Sequence, residues 1–247
     1  MTPPAAEAAQ PLSDTVLLPV RGHHAFEACV ERLGTAIRLG VFPRGTTLPN
    51  ERELAARLAV SRATLREAMA AMREAGLVET RRGRGGGTVV TMRPISPSAR
   101  AASRTSRAQR ADWFDALTFR RLVEPGAAAL AARAELDDAQ KRQLVEAHSS
   151  VAKARTRTEH RQADSRYHLT IATLGNSRRT VEAVTSVQAS LHEMLCVIPV
   201  LGPNIEHSDR QHQQILSAIL AGDDAAAHHV MGEHCDDTAA LLRGLLG

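Results

Sequence analysis

The apolar positions of residues 26–90 recur every three or four residues in three short stretches, as they do on the buried face of a helix. Ser61 stands where the third stretch begins, and its hydroxyl can accept from the open amides of a first helical turn. The pattern predicts three short helices that share one core. Its apolar members are Phe26, Val30, Leu33 and Ile37, then Leu54, Ala55 and Leu58, then Leu65, Ala68, Met69 and Met72.

Two β-prone runs follow the third predicted helix and enclose a basic, glycine-rich turn. The runs are Leu77-Val78-Glu79 and Thr88-Val89-Val90, and the turn between them includes Arg81, Arg82, Gly83 and Arg84. Such a pattern is typical of a two-stranded wing whose tip can reach an adjacent phosphate strand or the minor groove.

The start of the third predicted helix carries polar and basic residues where a DNA-reading helix would need them. A helix-turn-helix places the N-terminal residues of its second helix against base edges in the major groove. Arg62 and Arg66 could pair bidentately with guanine from that position. Taken alone, an arginine at that position is as often a solvated surface residue as a DNA contact. The combination of cap, two arginines and basic wing favours DNA binding.

This segment resembles the winged helix-turn-helix of GntR-type bacterial transcription regulators. The resemblance implies that the DNA-contacting positions are Arg52, Ser61, Arg62, Thr64, Arg66 and Gly83. Asn50 and Ala63 depart from the usual pattern, which leaves the base preference open. The residues that carry the resemblance are Leu48-Pro49, Glu51-Arg52-Glu53-Leu54-Ala55, Val60-Ser61-Arg62, Thr64-Leu65-Arg66-Glu67-Ala68 and Gly76-Leu77-Val78.

From Ala111 onward the apolar pattern is helical almost throughout. We expect six helices, of which the second runs from Leu136-Asp137 to about Arg157 and the last two are joined at Gly222. The predicted fold is therefore mainly α: an N-terminal winged helix-turn-helix of three helices and a β-hairpin, joined to an all-α bundle of about six helices.

Composition and charge divide the chain into four predicted parts. Residues 1–20 are rich in proline and alanine and predict a disordered tail, and residues 21–92 form the DNA-binding domain. Residues 93–110 contain five arginines and no acidic residue, which indicates a basic linker that either touches phosphate or is only a solvated spacer. Residues 111–247 form the all-α domain for effector binding and dimerisation.

Four residues of the predicted bundle have the spacing of a metal site. Asp164 and His168 lie four residues apart and so share one helical face. His212 and His234 lie ten residues before and twelve after Gly222, so a helical hairpin at that glycine would bring them together. One carboxylate and three imidazoles suit Zn²⁺, Ni²⁺ or Mn²⁺. The alternative is that these are ordinary surface or core histidines, since the chain has 11.

The C-terminal part resembles the FCD ligand-binding domain of FadR-like GntR regulators. The motifs that carry the resemblance are Arg120-Arg121-Leu122-Val123-Glu124, Asp164-x-x-x-His168, Gly175-Asn176, His212-x-x-Ile215 and Met231-x-x-His234. The resemblance implies that Asp164, His168, His212 and His234 bind a divalent metal, which a small carboxylate also coordinates. It also implies that Arg120 faces the pocket as an effector-binding residue. A salt bridge from Arg120 to Glu124 is the alternative, and the two roles are compatible.

Cysteine content and hydropathy exclude several classes of protein. Three cysteines without close spacing do not indicate a disulfide framework. No apolar run has the length of a signal peptide or a membrane span, so we expect a cytoplasmic protein that does not enter membranes.

The leading hypothesis is a metabolite-responsive transcription regulator that binds an inverted-repeat operator as a homodimer. A repressor is favoured over an activator. Its partners would be double-stranded DNA and a small carboxylic acid. We do not expect an enzyme. One alternative is a regulator whose metal is purely structural, and another is a metalloenzyme with a DNA-binding appendage. No general base or nucleophile clearly accompanies the metal cluster, which disfavours the enzyme.

Overall fold

The computed structural model describes residues 12–13, 17, 25–74, 76–81, 87–91, 106–198 and 202–246. Three helices and a hairpin form the N-terminal part, here called the reading head (residues 25–91), and six helices form the bundle (residues 106–246). This arrangement confirms the predicted mainly α fold. The helices are α1 Ala25–Arg38, α2 Glu51–Leu58, α3 Arg62–Glu74, α4 Arg107–Arg133, α5 Asp138–Ala152, α6 Arg157–Leu174, α7 Arg178–Val197, α8 Gly202–Ala221 and α9 Asp224–Leu246, and the strands are β1 Val78–Arg81 and β2 Gly87–Val90.

Side-chain hydrogen bonds cap the N-termini of α2 and α3 in the reading head. The Asn50 carboxamide oxygen accepts from the backbone N–H of Glu53 at 3.0 Å, at the start of α2. The Ser61 hydroxyl accepts from the backbone N–H of Thr64 at 3.0 Å, so it has the capping role that the sequence predicts for α3. The predicted inward positions of α3 are all buried, namely Leu65, Ala68, Met69 and Met72.

The predicted wing is an antiparallel hairpin. Val78 of β1 lies opposite Val90 of β2. Thr47 adds an isolated bridge to Val89, which ties the hairpin to the segment before α2. Residues 82–86, including Gly83, lie outside the described residues, so the basic tip stays a prediction.

Two helix boundaries differ from those predicted. Helix α4 begins at Arg107 rather than Ala111, because the Ser106 hydroxyl accepts from the N–H of Gln109 at 3.1 Å and caps the helix there. The C-terminal end of the predicted linker therefore belongs to the bundle, and residues 93–105 lie outside the described residues. Helix α5 ends at Ala152 rather than near Arg157 because Thr156 already caps α6.

Part of the predicted disordered tail packs against the reading head. Leu17 is buried in the same apolar cluster as the residues of α1 and α3. The Ser13 hydroxyl accepts from Arg57 of α2 at 2.8 Å. Leu17 therefore finds an apolar surface that the sequence pattern of the tail does not reveal, and disorder of residues 1–20 stays a prediction. The rest of the tail lies outside the described residues.

The reading head packs directly on the bundle. Its apolar core continues into Leu169 and Ala172 of α6. Just after α1, Gly40 adopts a positive φ of 71°, and a Cβ placed there would lie 2.7 Å from the Cβ of Gln162 on α6. The Gln162 side-chain amide also donates to the carbonyl of Ile37 at 3.4 Å. Helix α6 therefore contacts the reading head through a position where glycine alone fits.

Helix α4 runs through the bundle and packs against α6, α7, α8 and α9. The turn between α8 and α9 falls at Gly222, whose φ is 73°, as the sequence predicts. Within the described part of the chain, no helix combines the length and the apolar character that crossing a membrane requires.

Candidate metal and effector centre

Three of the four predicted metal ligands meet inside the bundle. His168 of α6, His212 of α8 and His234 of α9 are buried, and their ligand atoms all lie within 4.8 Å of one another. The ring centroids of His212 and His234 are 4.7 Å apart across the helical hairpin. The hairpin at Gly222 therefore brings together two histidines that are distant in sequence.

Asp164 lies beside this cluster. Its Oδ1 atom is 3.5 Å from Nε2 of His212, and its side chain keeps 14% of its surface exposed. Among the described residues, Nε2 of His168 and both ring nitrogens of His212 have no hydrogen-bond partner, although they are buried. Buried polar atoms are normally satisfied, so these nitrogens fit a group of metal ligands.

The outer nitrogens of two of the histidines face polar side chains. Nδ1 of His168 lies 3.0 Å from Oε2 of Glu124. Nδ1 of His234 lies 3.2 Å from the side-chain oxygen of Gln211. Contacts of this kind fix the orientation and tautomer of a metal-binding imidazole, and they leave its other nitrogen for the metal.

Burial keeps two of these imidazoles neutral. Burial is the main cause that lowers the pKa of His212 and of His234 well below the usual value, and positive charge on neighbouring histidines adds to it. A metal binds only the deprotonated ring nitrogen. These two imidazoles are therefore in the protonation state that a metal requires at neutral pH.

Glu124 is the centre of a buried polar network, of which the sequence predicts only the pairing with Arg120. Its Oε2 atom accepts from Nε of Arg120 at 3.0 Å, and both side chains are only 1% exposed. Its Oε1 atom accepts from the Gln188 amide at 2.6 Å. Burial opposes its ionisation, but Arg120 and then His168 outweigh that effect and lower the pKa of Glu124. The carboxylate is therefore charged and links α4, α6 and α7.

Arg120 pairs with Glu124 and also lines a cavity, so its geometry is compatible with both roles that the sequence leaves open. Its Nε donates to Glu124, whereas Nη1 and Nη2 have no partner among the described residues and are buried. The side chain lines a cavity of about 90 Å³ together with Asp164 and His234, here called the effector cavity. That volume is several times what one water molecule needs, so a small organic acid is the size of ligand that it suits.

Tyr167 ties two helices of the site together without entering the ligand set. Its hydroxyl donates to the backbone carbonyl of His212 at 2.9 Å. Its ring also lies against that of His212, with centroids 5.1 Å apart. Tyr167 therefore positions α8 relative to α6 and leaves the ligand nitrogens free.

Other histidines and a cysteine near these helices have different surroundings. His228 and His229 are exposed on α9. His192 of α7 is buried, and burial, followed by the positive charges of Arg161 and Arg38, lowers its pKa to about 4. Cys235 is buried with its sulfur 3.7 Å from Oε2 of Glu124, and burial is the main cause that raises its pKa to about 12. A thiol in that state is a poor metal ligand.

The predicted DNA-contacting residues lie on the surface of the reading head. Arg52 and Arg62 are exposed, and neither is in an ion pair with another described residue. Arg66 is exposed, with its Nε 3.2 Å from a carboxylate oxygen of Glu51. Ser61 and Thr64 share the capping turn, with their hydroxyl oxygens 2.8 Å apart. The sixth predicted position, Gly83, lies outside the described residues.

Comparison with known proteins matches both parts of the chain to families. Residues 26–90 match the bacterial regulatory proteins of the gntR family, and residues 115–237 match the FCD domain. The HTH-type transcriptional regulator RmpR of Mycobacterium gastri is 31% identical over 84% of this chain and 76% of its own length. The L-lactate dehydrogenase operon regulatory protein of Escherichia coli K12 is 34% identical over 77% of this chain and 75% of its own length.

One solved structure supports the fold at low sequence identity. The E. coli protein McbR/YncC matches 90% of this chain and 99% of its own, with a TM-score of 0.54 and 16% identity. The curated relatives described above are transcription regulators rather than enzymes, which confirms the expectation from sequence.

Proposed function

The chain belongs to the GntR family of bacterial regulators and carries an FCD domain, and from this we propose that it is a repressor whose effector is a small carboxylic acid anchored by a metal. Membership of the family makes the protein a DNA-binding transcription regulator. The effector, the metal, the dimer and the repressing role are the proposal.

One observation carries the proposal of a carboxylate effector. The two terminal nitrogens of the Arg120 guanidinium are buried in the effector cavity without a partner among the described residues. A guanidinium fork matches a carboxylate bidentately, and a buried polar group without a partner is costly. The name of the E. coli relative connects that protein to an L-lactate dehydrogenase operon, and lactate is a small acid of this class.

The metal in this proposal is a divalent ion, Zn²⁺, Ni²⁺ or Mn²⁺, held by His168, His212 and His234 with Asp164 beside them. When bound, it would supply positive charge that attracts one oxygen of the effector carboxylate. Arg120 would bind the same carboxylate through its Nη atoms, and Glu124 would keep Arg120 oriented through Nε.

A path from the effector cavity to DNA runs along α6. That helix carries Asp164 at the cavity, His168 in the histidine cluster and Gln162 at the contact with Gly40 of the reading head. An effector that binds two placements of α6 with different affinity would shift the reading head, and so the affinity for DNA. In a homodimer, two reading heads would match the two halves of an inverted repeat.

A thermal-shift screen of metal-loaded protein against small carboxylic acids tests the effector. A ligand at 100 times its Kd adds about 2.7 kcal/mol to the free energy of unfolding. Each kcal/mol moves the midpoint by roughly 2–4 °C for a chain of this size. We expect a clear shift that disappears in His212→Ala and persists in His229→Ala, a matched change of an exposed histidine. No shift with any acid, in protein shown to hold metal, would favour a purely structural metal.

Binding to DNA selected from a random duplex pool tests the reading head. We expect the wild-type protein to select an inverted repeat and to sediment as a dimer. Arg62→Ala and Arg66→Ala should each lose specific binding, because a bidentate contact to a base discriminates by about 1–3 kcal/mol. Arg178→Ala, a change of an exposed arginine on α7, is the control. Unchanged binding by both reading-head variants would contradict the assignment of α3 as the recognition helix.

A further inference from the structure

Arg161 is a second buried arginine in the effector cavity, and the proposed function gives it no role. It lies on α6 and lines the cavity together with Arg120, Asp164 and His234. The residue is 8% exposed, and its Nε and Nη1 atoms have no hydrogen-bond partner among the described residues. The cavity therefore contains two guanidinium groups with unsatisfied donors.

The two arginines differ in how their charge is balanced. Arg120 has Glu124 as its counter-ion. No carboxylate of the described residues forms an ion pair with Arg161, and the other basic residues of α6 at the cavity are the exposed Arg157 and the half-buried His160. A buried cation without a counter-ion is strongly unfavourable, so an anion at this position would stabilise it.

The position of Arg161 sets where that anion would lie relative to the first carboxylate. Arg161 precedes Asp164 by three residues and His168 by seven, which corresponds to a rise of about 4.5 Å and about 10 Å along the helix. Leu191, Leu195 and Ile198 of the α7 region line the same cavity. These apolar side chains suit a short carbon chain between two charged ends.

We propose that Arg161 binds a second anionic group and makes the effector site selective for dicarboxylates over monocarboxylates of equal length. This inference rests on the proposed function, in which the first carboxylate binds at Arg120 and the metal. Arg161 is then a specificity residue: it recognises the end of the ligand that lies away from the metal.

Calorimetric titration of the full-length, metal-loaded protein with succinate and butyrate tests the inference, because these acids have four carbons each and differ by one carboxylate. A charge-assisted hydrogen-bonded contact corresponds to roughly a 10- to 100-fold difference in affinity. We expect succinate to bind more tightly than butyrate by that factor. Arg161→Gln should abolish the preference by weakening succinate binding more than butyrate binding. Arg155→Gln, which removes an exposed arginine just before α6, should leave the preference intact.

A measurement without ligand guards against a variant that merely fails to fold. Since Arg161 is buried without a counter-ion, Arg161→Gln should unfold at the same or a higher temperature than the wild type. Arg161→Lys keeps the charge but loses the fork, so it should retain part of the succinate preference. Loss of fold in Arg161→Gln together with full succinate preference in Arg161→Lys would overturn the role given to the guanidinium.

The outcomes separate this inference from the function on which it rests. Equal affinity for succinate and butyrate would overturn the inference and leave the carboxylate effector intact. A succinate preference that survives Arg161→Gln would also overturn it, because another residue would then recognise the second carboxylate. Failure of both acids and of every other carboxylate to bind metal-loaded protein would overturn the proposed function and the inference together.

Discussion

The reading head and the bundle use their charged residues in opposite ways. In the reading head, Arg52, Arg62 and Arg66 are exposed, and the one ion pair that they make with described residues, between Arg66 and Glu51, is on the surface. In the bundle, Arg120 and Glu124 are fully buried beside three buried histidines. A surface that binds DNA needs only correctly spaced cations, whereas recognition of a small molecule requires polar groups inside the protein, where each one must be satisfied.

The difference also predicts where the protein is sensitive to substitution. Removal of one partner from a buried ion pair leaves an uncompensated charge in a medium of low polarity. Removal of one partner from a surface pair only exchanges a weak contact for water. We therefore expect substitutions in the bundle to cost the most stability and those on the surface of the reading head to cost the least.

Replacement of Glu124 by glutamine should have the greatest consequence for stability. Arg120 would keep its charge and lose its counter-ion, so we expect the free energy of unfolding to fall by about 3–5 kcal/mol. Glu51→Gln is the matched change in the surface pair with Arg66 and should cost about 1 kcal/mol or less. Urea denaturation measures both. Similar losses in the two variants would contradict the contrast between the regions.

His192 should make the metal-free protein less stable in acid. Its folded-state pKa of about 4 lies below the ordinary value of 6.5. As the pH falls below 6.5 the unfolded state binds a proton first, so stability that is full above pH 6.5 is lost progressively down to about pH 4. The linkage amounts to about 3 kcal/mol.

Comparison of the wild type with His192→Gln isolates this contribution. The pKa values of His212 and His234 are also lowered. Their contributions to the pH dependence of stability are present in both proteins and cancel in the difference. The difference in free energy of unfolding between pH 7 and pH 4 should therefore be smaller in the variant. If the free energy of unfolding depended on pH equally in the two proteins over this range, His192 would not titrate as described.

Gly40→Ala should weaken the contact between the two regions. The positive φ alone costs about 1 kcal/mol for alanine, and the new Cβ would also lie 2.7 Å from Gln162. Gly45 has a φ of 85°, and a Cβ added there would meet open space, so Gly45→Ala isolates the cost of the backbone. We expect Gly40→Ala to lose more stability than Gly45→Ala, by about 1–2 kcal/mol. Equal losses of stability in the two variants would mean that the contact between Gly40 and α6 adjusts to the added Cβ at little cost.

Arg62→Ala should barely change stability and still abolish specific DNA binding. An exposed residue without an ion pair contributes within about 0.5 kcal/mol to the free energy of unfolding. Thermal unfolding and DNA binding of the same preparation measure both properties. A large loss of stability would show that Arg62 supports the fold, and the contrast with the buried arginine of the bundle would then be incorrect.

Several features of the fold follow from local sequence. The apolar spacing around Leu65 and Met69 predicts which face of α3 is buried, and Ser61 predicts where that helix begins. Gly222 marks the turn between α8 and α9, so the meeting of His212 with His234 could also be predicted. These features depend on helical periodicity, capping and turn conformation, which are properties of neighbouring residues.

Other features required the packed chain. Nothing in the spacing of residues indicates that Gln188 lies against Glu124, because the two are 64 positions apart and on different helices. Arg161 could have been noticed one turn before Asp164, but its lack of a counter-ion depends on which side chains surround it. The burial of Leu17 likewise depends on an apolar surface that other parts of the chain provide.

The two-part helical architecture, the surface with the predicted DNA-reading arginines and the histidines of the proposed metal site can all be inferred from the order of residues. Periodicity and motif spacing are encoded locally, so they are present before the chain folds. Three further facts depend on tertiary packing: Glu124 balances Arg120, the Nη atoms of Arg120 remain available, and Arg161 is buried without a counter-ion among the described residues. Burial and charge balance arise from contacts between distant segments, and those contacts exist only once the helices pack.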